Sequence, residues 1–118
     1  MLQIKRAYSP VETTDGYRIL VDRLWPRGLS KDKLKIDWWP KEITPSTEIR
    51  KEFHHEAGKF ADFIKSYHYE LDNNPATSDF IAKVKQLMET QNVTLIYGAK
   101  DELVNHAIVL KEYLEKHF

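Results

Sequence analysis

Cysteine is absent from the 118 residues. That removes thiolate nucleophiles, iron–sulfur ligation, zinc–thiolate sites and structural disulfides together. Glycine is scarce, at four residues, and none falls in a GxGxxG or P-loop pattern. Dinucleotide and methyltransferase chemistry therefore lose their usual phosphate cradle. No GxSxG elbow occurs either. An excess of one charge is also missing, since Lys plus Arg and Asp plus Glu number 18 each. A nucleic-acid binder normally shows a basic surplus, so that partner class drops. No apolar run approaches the roughly 20 residues of a membrane span, and Met1-Leu2-Gln3-Ile4-Lys5-Arg6 lacks the core of a signal peptide. The expectations are a cytoplasmic home and no membrane partner. Repeats, linkers and low-complexity tracts are lacking too.

What remains is a composition of 42% hydrophobic and 31% charged residues, that of a globular chain. Its length suits one domain over residues 1–118. A domain near this size hides roughly two thirds of the surface its unfolded chain exposes.

Residues 2–6 alternate apolar and polar as a short strand does. A loop with Pro10 and Asp15-Gly16 follows, short for a helical crossover. A hairpin and a tight parallel connection to the next strand both stay open. That strand, within 17–24, contains Ile19-Leu20-Val21, a continuous run suited to burial on both faces. Pro26 removes a backbone donor and ends it by Trp25. Gly28 permits the turn that Pro26 begins, and Ser30 is placed to cap a helical turn through Lys35. Residues 36–40, with Trp38-Trp39, read either as a short edge strand or as an aromatic plug.

Ser46 is placed to cap a helix running to about His55, and Gly58 marks a break. Phe60, Phe63, Ile64, Tyr67 and Leu71 make one helical stripe, ended by Asn73-Asn74-Pro75. Another helix is expected from Ser78, burying Phe80, Ile81, Val84, Leu87 and Met88 and closing at Asn92. Residues 93–97 form a strongly apolar strand ending at Gly98. Asp101 is then expected to cap a last helix from Glu102 to about His117, with Leu103, Ala107, Leu110 and Leu114 inside. Interspersed strands and helices predict an α/β fold: a three-layer domain with a small, mostly parallel sheet flanked by helices.

Ligands of such sheets bind beyond the carboxyl ends of the strands. Two segments leave those ends with charge, residues 22–28 and 98–101. Arg23 and Arg27 offer planar donors suited to phosphate or carboxylate. Either can instead pair with an internal carboxylate. Asp22, at the end of a buried strand, is better suited to orienting a neighbour than to acting as a base. Gly98 allows close approach of a ligand or of backbone. Arg50 can reach such a crevice from the first turns of its helix, with Lys100 at the crevice edge. Asn105 and His106 are the polar residues within an otherwise apolar stretch. His106 lies toward the buried side beside Leu110 and Tyr113, either as a core histidine or as an acid–base group. Glu52, His55 and Glu56, with His54 beside them, have ligand-like spacing, but such clusters are usually a solvated helix face. No metal is expected there, and no particular cofactor is indicated.

Three blocks carry a family resemblance: VDRLWPRG at 21–28, PSTEIRKEF at 45–53, and LIYGAKD at 95–101 followed by Asn105-His106-Ala107. In these blocks and their order the chain resembles the short form of the DUF488 family over nearly its whole length. The resemblance implies a small cytoplasmic bacterial or archaeal α/β protein. It also implies family motif positions at Asp22, Arg23, Trp25, Pro26, Arg27, Gly28, Arg50, Asp101, Asn105 and His106. Longer members carry a cysteine just before the matching histidine, where this chain has Asn105. Members usually carry an aromatic residue where this chain has Glu52.

The expectation is a site for a small phosphate- or carboxylate-bearing ligand held by Arg23 and Arg27, with Arg50, Gly98, Lys100 and Asn105 nearby. Were it catalytic, His106 would be the acid–base group, with Asp22 or Asp101 orienting it. The competing expectation is a non-catalytic protein- or nucleic-acid-binding module whose arginines pair internally.

Overall fold

A computed structural model describes residues 1–54 and 56–118. Among them lie three strands: β1 (Leu2–Arg6), β2 (Tyr17–Leu20) and β3 (Val93–Tyr97). Five α-helices accompany them: α1 (Lys31–Leu34), α2 (Thr47–Phe53), α3 (Phe60–Asp72), α4 (Thr77–Met88) and α5 (His106–His117). The sheet has the order β1-β3-β2 and is parallel throughout. Every residue of β3 is buried, whereas four of the five in β1 are only partly so. A strand apolar on both faces gains most at the centre of a parallel sheet, and the alternating one goes to the edge.

That order excludes the hairpin and keeps the short parallel connection, with one strand interposed. β1 and β2 are not neighbours, because β3 lies between them. The chain crosses the amino end of β3, and Gly16 (φ 64°) makes the crossing possible. A Cβ there would stand 2.1 Å from the Asn92 carbonyl oxygen. A buried charge cluster anchors the same crossing. The Asp15 carboxylate takes Arg18 Nη1 at 2.6 Å and Lys5 Nζ at 2.8 Å. Burial alone would raise the Asp15 pKa, but hydrogen bonds from Lys5, the Glu12 amide and Arg18 outweigh it and hold the carboxyl below its usual range.

The sheet carries a core on each face. Ile19, Val21, Val93, Leu95 and Tyr97 pack with α3, α4 and α5, in a cluster that includes Phe63, Phe80 and Leu110. Leu20 and Ile96 pack with Leu34 of α1, Trp25 and Trp39 on the other. Trp38 reads as both of its alternatives. It makes a single parallel bridge to Ile19 on the free edge of β2, and its ring packs 5.3 Å from Phe80.

Helix starts follow the expected caps with one exception. Ser30 and Ser46 accept from Lys33 N and Ile49 N. Helix α2 stops at Phe53, since His54 takes a left-handed conformation. Helix α4 spans Thr77–Met88, starting one residue before the expected Ser78 and stopping short of Asn92. The exception is α5, which begins at His106 and not at Glu102. Asp101 spends its carboxylate on the Leu103 and Val104 amides in a turn of its own. Asn105 is the cap, accepting from Ile108 N at 3.0 Å. Leu103, expected inside, is 81% exposed because it lies in that turn and not on the helix. Among the described residues no helix is long and apolar enough to cross a membrane.

Candidate functional site

The carboxyl ends of all three strands open into one cavity of about 440 Å³. That volume lies within the range of small-molecule pockets, about 300–1,000 Å³. β1 contributes Tyr8, β2 contributes residues 22–27, and β3 contributes Gly98 and Ala99. Helix α2 closes the far side with Arg50 and Phe53, α3 adds Phe63, and α5 adds His106.

The loop after β2 is held open by bonds to its own backbone. Trp39 Nε1 donates to the Asp22 carbonyl at 2.7 Å, and Trp25 Nε1 to the Leu29 carbonyl at 2.6 Å. The Tyr8 hydroxyl donates to the Arg27 carbonyl at 2.9 Å. Pro26 is buried, and Gly28 takes φ 82° to complete the turn. Two indoles and a phenol thus satisfy main-chain carbonyls that a strand would have paired, and the side chains at 23 and 27 are left for the cavity.

Asp22 braces the strand ends through one oxygen, while its buried Oδ1 has no hydrogen-bond partner among the described residues. Its Oδ2 accepts the Gly98 N–H at 2.9 Å, and its Oδ1 lies 2.8 Å from His106 Nε2. The same nitrogen is 3.1 Å from the Val21 carbonyl oxygen. A nitrogen facing a carboxylate and a carbonyl must carry the proton, so Nε2–H is the tautomer that fits. A Cβ at residue 98 would stand 2.9 Å from Asp22 Oδ2, which accounts for glycine there. Asp22 therefore orients His106 and ties β2 to β3.

Three guanidiniums line the cavity. Arg23 donates from Nε and Nη2 to the carbonyls of Pro45 and Thr44, at 3.2 and 3.4 Å. Arg50 Nη2 reaches Thr47 Oγ1 at 3.2 Å, while its Nε is buried with no partner among the described residues. The Arg27 side chain is exposed. Among the described residues, none of the three forms an ion pair with a carboxylate. Below Arg23, Tyr67 donates to the Ile43 carbonyl at 2.7 Å. Burial pushes its phenol far up, so it stays neutral.

The structure brings together Asp22, Arg23, Arg27, Arg50, Gly98 and His106. It places three other candidates outside the cavity wall. Lys100 is exposed beyond it, Asp101 is spent on its own turn, and Asn105 is fully buried as the α5 cap. Asp101 therefore does not orient His106. The Glu52–His55–Glu56 spacing depends on His55, which lies outside the described residues. Sequence reasoning missed Tyr8, Phe53 and Phe63 as cavity residues. Tyr8 sits in a loop with no motif, and the two phenylalanines have the spacing of ordinary core residues.

These features define a small α/β protein with a basic cavity at the carboxyl edge of a parallel sheet. The chain belongs to the DUF488 family, matching over residues 1–118 the family model described as the inactive DUF488-N3 subclade. It is similar to the uncharacterized protein YeaO of Escherichia coli K12, at 49% identity over 113 residues and 96% of each chain. The uncharacterized protein Rv3073c of Mycobacterium tuberculosis H37Rv is 33% identical over 113 residues, covering 96% of this chain and 92% of that one. No solved structure matches it.

Proposed function

We propose that the cavity binds a small organic anion whose phosphate or carboxylate group is held by Arg23, Arg27 and Arg50. The observation that carries this reading is the three guanidiniums lining one cavity, none with a carboxylate partner among the described residues. An internally paired set, as a pure protein- or nucleic-acid-binding module would have, fits that arrangement poorly. The reading is of binding and not of turnover. The matched family model is described as inactive, no cysteine precedes His106, and Asp22 is already committed to Gly98 and His106. The setting proposed is a bacterial cytoplasm, and the organisms of the two relatives support its bacterial part.

One observation favours a second, catalytic reading. Asp22 Oδ1 lies 2.8 Å from Nε2 of His106, and a carboxylate that close to a cavity histidine is the pairing an acid–base histidine uses.

A thermal-shift screen of sugar phosphates, nucleotides and acidic metabolites tests the binding reading. A ligand at a hundredfold its Kd stabilises by about 2.7 kcal/mol. Arg27→Ala should fold like the parent and lose most of that shift. A flat response to every anion, or an equal response in the variant, rules the reading out.

A further inference from the structure

We infer that the occupant is a phosphate monoester carried on an apolar body, with His106 as the residue that prefers it over a carboxylate. This rests on the anion-binding reading above and goes on to name the ligand class.

The first argument is the charge inventory. Asp22 is the one carboxylate lining the cavity among the described residues, and its oxygens are turned to Gly98 N–H and His106. Three cationic side chains are thus left facing the ligand space. A carboxylate has two oxygens and one charge, which a single guanidinium saturates in bidentate fashion. A phosphate monoester offers three terminal oxygens and close to two charges near neutrality. It can engage donors from three directions. Arg50 supplies one of them, since its guanidinium lines the cavity and meets Thr47 Oγ1 but no carboxylate among the described residues.

The second argument concerns one proton. His106 commits Nε2–H to the Val21 carbonyl, with Asp22 Oδ1 2.8 Å from the same nitrogen. Its Nδ1 is neither bonded nor sealed from solvent among the described residues, and the ring lines the cavity. Held this way, the ring presents Nδ1 to the ligand. A carboxylate, ionised with a pKa of ~4, brings no proton for that nitrogen. A phosphate monoester arriving as the monoanion can pass its remaining proton to Nδ1 and bind as the dianion, with the Nδ1–H then donating to it.

The third argument is size and wall chemistry. A cavity of about 440 Å³ is far larger than one phosphate group fills. Much of the remaining lining is apolar, including Leu24, Trp25, Pro45, Phe53 and Phe63. Burial of apolar ligand surface there adds affinity that the anion alone does not have.

The test is a calorimetric titration of the whole chain with phenyl phosphate, benzoate and inorganic phosphate at one pH and ionic strength. Phenyl phosphate is expected to bind at least tenfold more tightly than either of the others. His106→Gln should narrow the gap between phenyl phosphate and benzoate, whereas Arg50→Ala should weaken both ligands. Benzoate binding as tightly as phenyl phosphate overturns the phosphate preference and leaves the anion reading standing. Inorganic phosphate binding as tightly overturns the apolar body. Binding of none of the three overturns the underlying reading itself. An unchanged gap in His106→Gln overturns the role given to His106, and where that variant fails to fold, the same titrations of His106→Asn decide it.

Discussion

Removal of the Asp22 carboxylate should cost this protein far more than loss of an ordinary surface acid. Its side chain is 19% exposed and joins two chain segments far apart in sequence, through Gly98 N–H at 2.9 Å and His106 Nε2 at 2.8 Å. Asp22→Ala leaves the half-buried Gly98 amide without its acceptor, at about 1–3 kcal/mol. Loss of the His106 contact adds about 1 kcal/mol, because Nε2–H keeps the Val21 carbonyl. The total is about 2–4 kcal/mol, or a fall in Tm of about 8–16 °C at roughly 4 °C per kcal/mol. Urea unfolding followed by circular dichroism measures it. Asp22→Asn sharpens the test. Its amide oxygen can still serve Gly98, but its NH₂ then faces Nε2–H, donor against donor. The imidazole should respond by moving its proton to Nδ1, visible in long-range proton–nitrogen correlation spectra of the ring. A loss below about 0.5 kcal/mol in Asp22→Ala, or a parent ring already protonated at Nδ1, would refute the reasoning.

Gly98→Ala should cost about 1–3 kcal/mol through displacement of the Asp22 carboxylate. Most of that cost should vanish in an Asp22→Ala background, and strict additivity of the two would show that the contact is not the cause. Asn105→Ala should remove the cap of α5 and destabilise by about 0.5–2 kcal/mol, whereas Leu103→Ala should lie within about 0.5 kcal/mol of the parent. The reverse ranking in thermal melts would put the helix start back at Glu102. Asp15 is held below its usual pKa when folded, so its contribution is full above the ordinary carboxylate range and is lost as pH falls through its folded value. Urea midpoints measured between pH 2 and 6 should therefore drop on the acid side, and drop less steeply in Asp15→Asn; parallel curves would exclude the mechanism. Burial would lower the Lys5 pKa, but Asp15 and Glu12 outweigh it and raise it, so its contribution holds below the ordinary lysine value and fades as pH rises through the folded one.

Much of the site could be read from residue types alone. Asp22, Arg23 and Arg27 follow a run of three apolar residues and flank a proline, and that combination marks a strand end with charge beyond it. Gly98 after Val93–Tyr97 has the same logic. Legibility failed where two residues of like chemistry competed. Asp101 and Asn105 both suit a helix cap, and their spacing of four lets either start α5. The choice fell to Asn105 because burial of Ala107, Val109 and Leu110 against the sheet sets where the helix can begin, and local propensity carries no record of that. The roles of Phe53 and Phe63 were hidden for a related reason. Apolar spacing reports that a side chain is buried, but not that a cavity passes beside it.

The order of apolar and polar residues by itself determined which segments are strands and helices, the α/β class, and the charged turn at 22–28. It did so because periodicity and caps are local properties of the chain. Only the tertiary structure decided that β3 lies between β1 and β2, that Gly98 and His106 converge on Asp22, and that Arg50 joins Arg23 and Arg27 around one cavity. Those are contacts between residues from 20 to more than 80 positions apart, and their geometry is set by how the two faces of the sheet are covered.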